Sequence, residues 1–217
     1  IFRNNCAGSG EAKQGGGALY NTTAIMTDVA DGESKSTDGI ANISYDSHFV
    51  ANAANGDGGA IYADTSTQTN LGYKTIYDPT NQGIIQTDTI NGNQKFFSNM
   101  STGKGGAIYV ANGATINIAA ANGNTEFTGN KQGVEFKTTA DPELGETVDA
   151  LGHVLNAAGE HAIVEDTGES NAIYLDGVDA ELNLATADDG SQIVFNDKIA
   201  GPNGQINQLD NSQVYYN

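Results

Sequence analysis

Apolar positions along this chain come in short groups set in polar, glycine-rich surroundings. Examples are Ala60-Ile61-Tyr62, Ile116 with Ile118, and Ile193-Val194-Phe195. The groups are β-branched or aromatic and are flanked by Gly and Asn, which is the pattern of short strands closed by turns. Ile116 and Ile118 alternate with polar neighbours, so both face one side of their strand. No helical period runs through ten or more residues except weakly around 148–158, which reads as a short helix or a loop.

Two words recur in these groups. Gly-Gly-Ala, an aliphatic residue and Tyr stand at Gly16-Gly17-Ala18-Leu19-Tyr20, Gly58-Gly59-Ala60-Ile61-Tyr62 and Gly105-Gly106-Ala107-Ile108-Tyr109, with a degenerate copy at Asn171-Ala172-Ile173-Tyr174. Phe-x-x-Asn stands at Phe2, Phe49, Phe96 and Phe127, with a weaker echo at Phe195-Asn196. The words alternate. Phe49 precedes Ala60 by 11 residues and Phe96 precedes Ala107 by 11, whereas the return from Ala to the next Phe takes 31, 36 or 20 residues. One corner is therefore constant and loops enter elsewhere, as solenoids allow.

The shortest unit, residues 105–130, predicts three strands: 107–110, 115–118 and 125–128, with turns at Asn112-Gly113 and Asn122-Gly123. These features predict an all-β chain, a right-handed parallel β-helix with three short strands per coil and inserted loops. It occupies residues 1–217 as a single segment. Like residues then stack at the inter-strand spacing of about 4.8 Å. Leu19, Ile61, Ile108 and Ile173 are expected to form an inward aliphatic stack. Phe2, Phe49, Phe96 or Phe97, and Phe127 form an inward aromatic one. Asn5, Asn52, Asn99 and Asn130 form an amide ladder at a corner. Tyr20, Tyr62, Tyr109 and Tyr174 alternate with the aliphatic stack and should face outward. Residues 131–170 break the rhythm, since Phe127 to Ala172 takes 45 residues where 11 is regular. They read as an inserted loop or irregular coil, rich in acidic residues and holding His153 and His161. Smaller insertions are read at 28–39 and 65–86. Ile1 to Asn5 read as the middle of a structural unit.

The alternation of the two words resembles the passenger domains of autotransporters, and most closely the polymorphic outer-membrane proteins. The likeness covers residues 1–130 well and 171–200 loosely. It implies type V export with a C-terminal membrane barrel in the full-length protein, and a place at the bacterial cell surface or outer membrane, or secretion. It implies roles in adhesion, surface display or virulence, and carries over no catalytic residue.

Charge narrows the partners. The formal charge is −18, with 27 acidic residues against 9 basic ones, and the single arginine is Arg3. Phosphate backbones are repelled at long range, so nucleic acid is not an expected partner. Cys6 is the only cysteine, so no intrachain disulfide forms. It reads as a buried or near-terminal thiol, not a nucleophile.

Catalytic chemistry finds little support in the residues. Enzymes of this fold acting on uronates need basic residues, and inverting hydrolases need clustered carboxylates. Asp188-Asp189 is the only adjacent acidic pair weighed for that role and reads as a turn. Asp189-Gly190-Ser191 lacks the glycine that would follow a serine nucleophile. Asp176-Gly177-Val178-Asp179-Ala180-Glu181 offers oxygen atoms but matches no calcium loop. No catalytic residue, metal or cofactor is expected. The leading expectation is an adhesin or stalk that binds a host or neighbouring-cell surface protein or glycan, with Tyr20, Tyr62, Tyr109, Tyr174, His153 and His161 as candidate contacts. A carbohydrate-active enzyme and a purely structural spacer are the alternatives.

Overall fold

A computed structural model describes residues 1–8, 15–22, 24–27, 34–37, 40–43, 45–78, 83–165, 167–187, 190–209 and 211–217. The pair Asp188-Asp189 and most of the insertion at 28–39 lie outside these residues. Regular structure among them is all strand, apart from a 3-10 turn at Pro142–Leu144.

Four sheets organise the chain, and the first four passes visit them in the same order; the pass from Gln192–Phe195 reaches Ile199–Ala200 without a corner strand. The first sheet holds Phe2–Arg3, Ser47–Val50, Gln94–Phe97, Asn124–Thr128, Gln192–Phe195 and Val214–Tyr216, all parallel. A corner sheet of two-residue strands follows: Cys6–Ala7, Ala53–Ala54, Met100–Ser101 and Lys131–Gln132. The tyrosine sheet holds Leu19–Asn21, Ile61–Ala63, Ile108–Ala111, Ile173–Asp176 and Ile199–Ala200. The last holds Ile40–Ile43, Gln68–Leu71, Thr115–Ala120, Glu181–Thr186 and Gln205–Gln208. Parallel pairing in this cyclic order is compatible with a parallel β-helix. The short corner sheet is a fourth element beyond the three strands expected per pass. The pass turns so tightly after Asn52 and Asn99 that only two residues pair before the glycines.

Three sheets share one apolar core, which includes Phe96, Ile61, Ile108, Ile116 and Leu182. The expected stacks are present. Leu19, Ile61, Ile108 and Ile173 are partners in register. Phe2, Phe49, Phe96, Phe127 and Phe195 stack face to face with ring centroids 4.7, 4.6, 4.6 and 4.7 Å apart. Phe96, not Phe97, is the inward ring and is fully buried. Each such ring contributes roughly 2–3 kcal/mol by leaving water.

At the corner, Asn5 Nδ2 donates to Asn52 Oδ1 (2.8 Å), Asn52 to Asn99 (2.9 Å) and Asn99 to Asn130 (2.9 Å). Each Oδ1 also accepts the backbone N–H of the preceding asparagine. Nδ2 of Asn52, Asn99 and Asn130 donates a second time, to the carbonyls of Phe2, Phe49 and Phe96. The ladder ends on Asp197, whose carboxylate accepts from Asn130 N, Asn130 Nδ2, Gly129 N and Ser170 Oγ. The echo of the second word at Phe195-Asn196 thus closes one residue early, on a side chain that can only accept.

The double glycine has two separate causes. Gly105 has φ +69°, a left-handed conformation that side chains disfavour. Gly106 is instead crowded. A Cβ there would lie 2.4 Å from the Asn171 carbonyl oxygen and 2.5 Å from Lys131 N. Gly17 and Gly59 meet the next pass in the same way.

Excursions leave at different corners. Ala24–Thr27 pairs antiparallel with Ser34–Thr37, and Tyr73–Asp78 with Gly83–Ile90. The second excursion therefore starts later than the expected 65, because Gln68–Leu71 belongs to the parallel ladder. Residues 133–168 form the longest one. It contains a small antiparallel pair, Thr147–Val148 with Val154–Leu155, where a short helix or loop was expected, and returns as Glu169–Ser170 against Lys131–Gln132.

Three substitutions probe this account. Asn99→Ala takes the Asn99 partner from Asn52 N and the Phe49 carbonyl and one of the two acceptors from Asn52 Nδ2, and should cost about 3 kcal/mol of unfolding free energy, read from denaturant melts. Gly106→Ala should cost about 3 kcal/mol or prevent folding, through overpacking. Gly133→Ala, with φ +67° and open space around it, should cost only about 1 kcal/mol.

Candidate functional site

The four sequence-predicted tyrosines are brought together. Tyr20, Tyr62, Tyr109 and Tyr174 occupy one register on consecutive strands. Their rings stack with centroids 4.8, 4.9 and 6.3 Å apart. Their exposure is uneven. Tyr20 is 49 % exposed, whereas Tyr109 is only 6 % exposed, against the expectation of an outward column throughout. The cause is an overlying polar cluster. The Tyr109 hydroxyl donates to Asp176 Oδ2 at 2.6 Å, and Lys104 Nζ meets Asp176 Oδ1 at 2.9 Å while lying 4.7 Å above the Tyr174 ring. That bridge buries Tyr109 and lies over the Tyr174 ring, while toward the other end Tyr62 is half-buried and Tyr20 exposed.

Beside these two members runs a groove of about 680 Å³, lined by Gly16, Tyr20, Asp57, Tyr62, Thr102 and Gly103 among others. Its floor is the glycine corner, which has no side chains to fill it. Burial raises the Tyr62 hydroxyl to about 12, helped by Tyr20 and by the carboxylates of Asp64, Asp57 and Asp176. Burial and the bond to Asp176 raise Tyr109 further. These hydroxyls are protonated donors at neutral pH. Tyr109 and Lys104 in turn hold Asp176 ionised below the usual carboxylate range.

His153 and His161 are not surface contacts. Each is 5 % exposed, on the underside of the excursion 133–168. There they meet Cys6 and Asp149. Cys6 Sγ lies 3.5 Å from His153 Nδ1, and His161 Nε2 lies 3.1 Å from Asp149 Oδ2. One donor atom from each of the four residues lies within 4.8 Å of every other. Burial pushes the Cys6 thiol up to about 12, with the Asp149 carboxylate adding to it. Burial also lowers His153, against the opposing pull of Asp149. Burial alone would raise Asp149. The His153 N–H, the His161 ring and the Leu151 N–H outweigh it and hold the carboxyl below its ordinary value. Sequence reasoning missed this set because Cys6 and His153 stand 147 residues apart. Only the pairing of an odd cysteine with two histidines in one acidic insertion hinted at it.

The oxygen-rich stretch weighed for calcium is dispersed. Asp176 is held by Tyr109 and Lys104, Asp179 by Asn112, and Glu181 by Thr115.

No curated protein and no solved structure matches the chain. Two segments, 46–64 and 89–111, match the Chlamydia polymorphic membrane protein repeat. Each runs from the phenylalanine strand through the asparagine corner and the double glycine to the tyrosine strand, so the match falls on the part of the pass with the least freedom. Over those residues the chain is similar to the repeat of the Chlamydia polymorphic membrane proteins, a surface-associated, autotransporter-like outer-membrane family.

Proposed function

We propose that this chain is a right-handed parallel β-helix segment of a surface-displayed passenger, and that it acts as an adhesin by binding and not by catalysis. The observation that carries this reading is the open end of the tyrosine column beside its groove. Tyrosine offers a large, amphipathic contact at low entropic cost. The glycine corner allows a partner's backbone to approach closely.

The chemistry of the groove favours a protein partner over a glycan. Stacked rings cover each other's faces, so sugar rings find little aromatic face to pack on. What remains is a row of ring edges and hydroxyl donors next to carboxylates. Asp64 accepts from the Tyr20 hydroxyl and from Thr22, and Asp57 Oδ1 accepts the Lys104 N–H at the groove wall. Together with the charge of −18, this arrangement suits a basic, hydrogen-bonding surface on a host or neighbouring cell. Long-range attraction then speeds encounter at low salt.

Beads coated with the chain should bind cells, and binding should weaken as salt rises from low ionic strength, where screening is slight. Tyr62→Ala should weaken it by about 2 kcal/mol, roughly 30-fold, as for an interface hot spot. Tyr62→Phe keeps the stack and removes only the hydroxyl, and should give a smaller loss. Trypsin treatment of the cells should abolish binding. Loss on glycosidase treatment instead would make the partner a glycan. Binding indifferent to both tyrosine variants would leave the segment a spacer.

A further inference from the structure

The four groups beneath the excursion have the composition and placement of a metal site. We infer that Cys6, Asp149, His153 and His161 bind one Zn²⁺ ion, which clips the excursion 133–168 to the first corner strand.

Geometry comes first. Zinc bonds of 2.0–2.3 Å in a tetrahedron place neighbouring ligand atoms about 3.3–3.8 Å apart. Two of the contacts, at 3.5 and 3.1 Å, are already near that spacing. The widest separation, within 4.8 Å, needs a contraction of about 1 Å to reach it. Three ligands come from one excursion whose backbone turns are fixed locally. Asp149 Oδ1 accepts the N–H groups of Leu151 and His153 at 2.8 and 2.9 Å, which leaves Oδ2 for the site. Those two bonds are the outer support that a ligating carboxylate requires. The fourth ligand arrives on the strand Cys6–Ala7, which is held in register by Ala53–Ala54.

Ligand chemistry selects the ion. A sulfur, two imidazoles and one carboxylate suit zinc, and not calcium or magnesium, which take oxygen. Charge balance agrees. A thiolate and a carboxylate with two neutral imidazoles carry −2, which a divalent ion cancels, so the loaded site can be buried at low cost. On loading, the Cys6 thiol gives up its proton to solvent as its sulfur bonds the metal. Apolar walls close the site. Phe136 lies 4.9 Å from the His153 ring and 5.9 Å from His161, and it packs with Met100, Val134 and Ala53.

Such a clip would matter to the fold because the ion pair that ties the excursion to the first pass among the described residues is weak. The Arg3–Glu160 pair is 3.6 Å apart and exposed at both ends, a kind of contact that adds little. The metal would serve where residues 1–217, with one cysteine, can form no disulfide among themselves.

The test is a titration of the untagged 217-residue chain with Co²⁺, followed by displacement with Zn²⁺. The inference expects one equivalent of Co²⁺, with the visible bands of four-coordinate cobalt and a thiolate charge-transfer band, both lost on adding one equivalent of Zn²⁺. Cys6→Ser should remove the charge-transfer band. Cys6→Ser, Asp149→Asn and His153→Gln should each weaken Zn²⁺ by at least about tenfold. His48→Gln, at an exposed histidine outside the cluster, should change nothing. Hydrogen exchange across 133–168 should slow with Zn²⁺ in the wild-type chain and not in Cys6→Ser. This reading also covers a variant that alters the site without unfolding the ladder. Absence of saturable binding in the folded wild-type chain, or binding unaltered by all three ligand variants, would overturn the inference.

Discussion

The spacing of hydrogen-bonded parallel strands governs everything else in this molecule. Once the chain returns to the same sheet on each pass, every residue sits about one strand spacing from its own counterpart, near 4.8 Å. The observed ring separations of 4.6–4.7 Å in the phenylalanine stack follow that backbone distance. Each position must therefore tolerate a neighbour of its own kind. Flat rings do, aliphatic chains do, and asparagines do because an amide both donates and accepts. Like charges do not. Lys95 accordingly stands opposite Glu126, at 3.1 Å, where a repeat of either would repel.

That rule divides the chain into conserved geometry and free geometry. From the phenylalanine strand to the tyrosine strand the pass is crowded on both sides, and even a methyl group on Gly106 collides with backbone. At the other corners the chain can leave, form an antiparallel pair and return without disturbing the stacks. Both candidate sites lie on this boundary. The groove exists because the crowded corner is built of glycine. The histidine and cysteine cluster exists because an excursion folds back over the short corner strands.

Legibility in the sequence follows the same division. The aliphatic, phenylalanine and asparagine stacks could be read from two words at a fixed offset, since period alone decides what lies over what. The tyrosine column was legible as a column but not in its exposure. Lys104 and Asp176 close over Tyr109 by chemistry that belongs to neither word. A second amide ladder went unread. Asn70, Asn117, Asn183 and Asn207 share a register on strands whose flanking residues differ from pass to pass. Cys6 with His153 and His161 was invisible for a deeper reason. Where an excursion docks depends on apolar contacts such as Phe136 with Met100, and those obey no period.

The two amide ladders point in opposite directions. At the corner each Nδ2 donates toward the C-terminal pass, ending on Asp197. On the other sheet Asn207 donates to Asn183, Asn183 to Asn117 and Asn117 to Asn70, toward the N-terminal passes. Chains of hydrogen bonds polarise one another, so each ladder is a line of aligned dipoles, and here the two lines oppose. The corner line brings its positive end to a carboxylate. The molecule therefore has an electrical sense along its axis that its repeating shape lacks: a pass cannot be inverted and restacked without turning an amide oxygen onto the Asp197 carboxylate, acceptor against acceptor.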